Sequence, residues 1–97
     1  MNTAQMDAMR VVLNDIIDER KRQDERWGVQ RLEWPVWMAV LTEEVGESAE
    51  ASLEAHFNPQ APLGHLREEL VQVAAVAVAM IEHIDEINQR NDNTPVD

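Results

Sequence analysis

Glutamates carry most of the chemistry this sequence can do. Glu43, Glu44, Glu47, Glu50 and Glu54 fall within one short segment, and Glu68 and Glu69 follow after a break. From Leu32 to Leu66 the chain has no Lys or Arg at all. Like charges three and four residues apart destabilise a helix by about 0.2–0.5 kcal/mol per pair, and nothing on this segment offsets them. At about 100° per residue, the apolar stripe of the segment centres near Leu41 and Val45. Glu44 borders that stripe and Glu47 lies next to it, while Glu43, Glu50 and Glu54 point roughly the opposite way. Glu44 and Glu47 are therefore one turn apart and can converge on one point. Two carboxylates at a protein-lined cleft suit Mg²⁺ or Mn²⁺, which take hard oxygen ligands. The outward glutamates read as a solvated acidic face.

A second acidic pair, Glu68 and Glu69, opens the third helical stretch. Acidic residues there also complement the helix N-terminal dipole, a plain structural reason for them. Gln72 lies one turn beyond Glu69 and is the only polar residue from Leu70 to Ile81. A buried amide needs hydrogen-bond partners: a metal-bound water, a ligand, a carboxylate or the backbone would each serve. Lys21, Arg22 and Arg26 cluster with Asp24 and Glu25 ahead of Trp27. The cations suit the outer phosphates of a nucleotide and Trp27 suits a base, although mixed charge of this kind also makes a solvated helix end. His56, His65 and His83 stand at no convincing ligand spacing.

Three helices must position these groups. The first spans about Thr3 to Arg26, with Met6, Met9, Leu13, Ile16 and Ile17 at helical spacing and Asn2 or Thr3 as its cap. Its half from Asp18 to Arg26 has no apolar residue, so it projects from the core or lines a polar cleft. The second spans about Pro35 to His56, with Pro35 in its first turn. Asn58 to Gly64 is the clearest break. The third spans about Leu66 to Asn91 and is apolar almost all round, the mark of a helix covered on most sides. Three helices hardly surround it, which points to a bundle completed by dimerisation. No alternating strand pattern stands out. The fold class is all-α: one domain over residues 1–91 and a polar tail over 92–97.

The whole chain sets bounds on function. It has 97 residues, a net charge of −11 and no Cys. Disulfides and Cys-based metal sites are excluded. So acidic a chain lacks the basic footprint that binding to a nucleic acid polymer requires. The run from Leu70 to Ile81 is too short to span a membrane. No basic, apolar leader opens the chain, which makes cytoplasmic the default expectation.

Glu43-Glu-Val-Gly-Glu47, followed after residues 48–66 by Arg67-Glu-Glu-Leu-Val-Gln-Val-Ala-Ala75, resembles the MazG-like nucleoside triphosphate pyrophosphohydrolases. That family carries a Glu-x-x-Glu pair and, further on, a Glu-x-x-Asp pair. Glu44 and Glu47 match the first pair and Glu69 the third acid. The fourth position falls on Gln72, where Asp is usual. Glu19-Arg-Lys-Arg-Gln-Asp-Glu-Arg-Trp-Gly28 is similar to the N-terminal part of short phage and mobile-element members. The resemblance runs from about Glu19 to Ile84.

The resemblance implies a helical bundle active as a homodimer or homotetramer. It implies Mg²⁺ held by the acidic pairs, with Mn²⁺ as a substitute. It further implies cleavage of a nucleoside triphosphate between the α and β phosphates, giving a monophosphate and pyrophosphate. Carried over residue by residue, the metal ligands are Glu44, Glu47, Glu69 and the departing Gln72. The catalytic acids are Glu44 and Glu43, the latter orienting or deprotonating a water. Lys21, Arg22, Arg26 and Trp27 are the substrate-binding candidates on their own charge and aromatic character, not through the resemblance. An amide at position 72 adds no charge, so either another acid compensates or the metal arrives mainly with substrate; the second is the expectation. The alternative is a catalytically weak or inactive module of the same fold that holds nucleotide, metal or a protein partner.

Overall fold

The structure is a computed structural model describing residues 1–92. The expected tail, 92–97, lies outside the described residues apart from Asp92, where the last helix ends. The described residues form three helices and no strand: α1, Thr3–Trp27; α2, Trp34–Phe57; α3, Leu63–Asp92. The all-α reading holds.

Local chemistry explains each end. The Asn2 side chain accepts from the Gln5 N–H at 2.9 Å, and the Gln5 side chain accepts from the Asn2 N–H at 2.8 Å. This reciprocal pair satisfies two donors that a helix start leaves open, so Asn2 rather than Thr3 is the cap. At the other end the Gly28 N–H donates to the Asp24 carbonyl at 2.9 Å, and Gly28 has φ +71° and ψ 178°. Side chains disfavour that conformation and glycine does not. Pro35 sits in the first turn of α2, where its missing N–H costs nothing.

α3 begins three residues earlier than the Gly-Pro punctuation implies. Pro62 stands just outside the helix, and Gly64 is tolerated in the first turn. The shift has a consequence for chemistry: Glu68 and Glu69 lie beyond the first turn, which holds no acid. The dipole effect fades over that distance, so it no longer explains Glu69.

α3 is the central element. It packs against α2 on one side and α1 on the other, while the backbones of α1 and α2 stay apart. The short 58–62 connection makes α2 and α3 antiparallel: Trp37 meets His83, and further along α2 the acids at 44 and 47 meet Glu69 lower on α3. α1 runs parallel to α3, with Asp15 paired to Arg67 at 2.7 Å and Arg20 to Glu82 at 3.0 Å. Buried apolar side chains are few: Trp37, Ala51, Ala75 and Val76. Residues along α3 from 71 to 80 are otherwise only half-buried. The apolar half of α1 is exposed at Met6, Met9, Leu13 and Ile17, whereas half-buried residues in its polar half, Glu19, Arg20, Gln23 and Asp24, face the cleft. No described helix is long and apolar enough to cross a membrane.

Candidate metal centre

α2 and α3 bring three carboxylates together. Glu44, Glu47 and Glu69 each offer an oxygen, and these oxygens lie within 4.8 Å of one another. The helical offset from Glu44 to Glu47 sets two of them on the face that meets α3. The antiparallel register sets Glu69 opposite. Glu47 is exposed, and Glu44 and Glu69 are half-buried.

The site is electrostatically unbalanced. One oxygen of Glu44 and one of Glu69 are sealed from solvent and accept no hydrogen bond. Buried acceptors are normally satisfied, and an anionic one is costly when it is not. Burial, followed by repulsion from Glu47, Glu69, Glu43 and Glu19, holds the Glu44 carboxyl above the usual carboxylate range. His65 Nε2 lies 3.9 Å from a Glu69 oxygen. Three converging carboxylates, two of which carry an unpaired buried oxygen, fit a hard divalent cation, which supplies the missing charge and accepts lone pairs.

Next to the acids lies a cavity of about 340 Å³ where all three helices meet. α1 contributes Glu19, Arg22, Gln23, Arg26 and Trp27; α2 contributes Glu44; α3 contributes Gln72. Three of the four proposed substrate-binding residues are thus gathered beside Glu44. Arg26 lies 4.7 Å over the Trp27 ring, and Arg22 donates to Glu19 at 3.3 Å. Lys21 falls elsewhere, lining an apolar groove with Ile17 and Val78. Glu43 is exposed and borders no described cavity of the site. Gln72 lines the cavity from α3, one turn beyond Glu69.

Two features escaped the sequence. Glu19 turns inward and is only 13% exposed; the polar half of α1 signalled a cleft, but spacing alone did not single out this glutamate. The Trp37 indole N–H donates to His83 Nδ1 at 3.0 Å, and the Trp34 ring lies tilted against the same imidazole, 4.9 Å between centroids. This pairing ties α2 to α3 above a second cavity of about 210 Å³ that Glu44 also borders. Residues 46 apart carried no local pattern to reveal it.

Comparison of the chain with protein-family models, with curated proteins and with solved structures gives no match.

Proposed function

We propose that this chain is a Mg²⁺-dependent nucleotide pyrophosphohydrolase of MazG-like type, cleaving a nucleoside triphosphate between the α and β phosphates. The observation that carries the reading is the convergence of Glu44, Glu47 and Glu69, with two of their oxygens buried and unpaired. The motif resemblance names the same three residues independently. A bound divalent cation would polarise phosphoryl oxygens and lower the pKa of an attacking water.

The chain's own residues have separable tasks. Glu44, Glu47 and Glu69 hold the cation. Arg22 and Arg26 meet the outer phosphates, and Trp27 offers a face to the base. Glu43 takes the proton of the attacking water or orients it, by way of a further water given its outward placement. The protein works as a homodimer or homotetramer, because exposed apolar stripes on α1 and α3 need a cover. Its partners are the nucleotide and its own copies, with no nucleic acid polymer and no membrane. Its expected setting is cytoplasmic.

A second reading, a module of this fold that holds nucleotide or metal without turnover, is favoured by Gln72 in place of the fourth acid. One assay separates them: release of pyrophosphate from a panel of ribo- and deoxyribonucleoside triphosphates with Mg²⁺. We expect turnover that falls about 10²- to 10⁴-fold in Glu44→Gln, the range for removing a central catalytic group. Nucleotide binding with no pyrophosphate from any substrate selects the second reading.

A further inference from the structure

We propose that Glu19 of α1 supplies the carboxylate that position 72 lacks, completing a divalent-cation site built from all three helices. The inference rests on the metal-centre reading above and adds a ligand group from an element that the paired-acid motif does not include. Gln72 is neutral, yet the cavity it lines is not short of charge. Glu19 borders that cavity beside it, together with Glu44. Glu19 and Gln72 also share the adjoining cavity, of about 400 Å³, with Arg22, Arg67 and Glu68. A glutamate only 13% exposed is unusual, since acidic side chains are mostly solvated.

Its one ion pair explains only part of that burial. Arg22 engages Glu19 Oε1 at 3.3 Å, and the arginine itself is largely in solvent. The site already holds two buried carboxylate oxygens without donors, on Glu44 and Glu69. After burial and after Glu47, Glu69 and Glu43, Glu19 also adds to the repulsion felt at Glu44. Bringing a further anion to such a place is unfavourable unless a cation neutralises it. Glu19 lies outside the tight group of three, so it reaches the cation from the cavity side, through a bound water. The charge that Gln72 does not provide on α3 comes instead from the helix that faces it.

The test is Mn²⁺ binding by calorimetry and paramagnetic resonance, without nucleotide, on wild type and three isosteric variants. Glu19→Gln tests the proposal, Glu44→Gln tests the centre itself, and Glu25→Gln removes an exposed charge from the same helix. Circular dichroism checks that each is folded. We expect Glu19→Gln to weaken Mn²⁺ about 10- to 100-fold, the usual scale for a supporting carboxylate, with Glu25→Gln unchanged. Wild-type affinity in Glu19→Gln while Glu44→Gln binds poorly overturns the role of Glu19 and leaves the centre standing. Equal weakening by Glu25→Gln also overturns it, because the effect is then general charge. No Mn²⁺ binding by the wild type overturns both.

Discussion

Glu44 is the residue on which stability and function pull apart. Its carboxyl is held above the ordinary range by burial first and by four neighbouring acids after that. A raised value in the folded state means that the folded chain holds its proton where the unfolded chain has lost it. Stability from this group is therefore greatest at low pH. It falls as pH rises from the ordinary glutamate range, about 4.3, through the folded value, and stays lost above it. Without metal, Glu44→Gln raises the melting temperature at neutral pH and flattens its dependence on pH over that window. A gain of ~1 kcal/mol corresponds to about 4–8 °C in a domain of this size. With Mg²⁺ present the order reverses, because only the wild type gains from the cation. A metal-free variant that melts lower than wild type at pH 7 would show that Glu44 serves packing rather than binding. Glu44 and Glu47 were legible in the sequence because helix geometry alone turns them toward the apolar stripe. Glu19 was not, because its inward turn depends on where α3 stands.

The elements act through their ends. Gly28 closes α1 at φ +71°, and from there the chain turns toward α2 with Trp27 left beside the acids. A methyl group at position 28 meets no atom within 4 Å, so space is not the obstacle. The backbone conformation is, and strain of this kind costs about 1–3 kcal/mol. Gly28→Ala is expected to lower stability in chemical denaturation by that amount. It should also shift the tryptophan emission, to which Trp27 contributes with Trp34 and Trp37. An unchanged denaturation midpoint would mean that the turn relaxes freely and does not position Trp27. The starts of α1 and α2 follow from Asn2 and Pro35, residues whose local chemistry is complete within a few positions. The early start of α3 did not, since Pro62 and Gly64 suit a loop and a helix entrance equally well. The Trp37–His83 bond was equally hidden, because it joins distant parts of the chain.

At the scale of the molecule, one copy covers little. α3 has a helix on each of two sides and remains half-open elsewhere, and Met6, Met9, Leu13 and Ile17 form a bare stripe on α1. Exposed apolar stripes of this kind mark interaction surfaces. Light scattering should give a mass two or four times 11.1 kDa, and the melting temperature should rise with protein concentration, as it does when folding and association are coupled. Leu13→Glu should lower that mass. A mass of 11.1 kDa for the wild type at all concentrations would sink the assembly. All-α character was readable from periodicity alone, and the near-uniform apolarity of α3 was an honest sign that three helices do not enclose it.

The three described helices extend over 64 × 36 × 24 Å, with a radius of gyration of 16.8 Å, against about 13 Å for a compact chain of this length. α1 runs on past the start of α3, and the backbones of α1 and α2 stay apart. Such a rod meets more friction in water than a sphere of equal mass. On a sizing column a lone copy would travel ahead of its true weight and pass for a pair. Elution volume therefore overstates association for this chain, and only a method that weighs particles can count its copies.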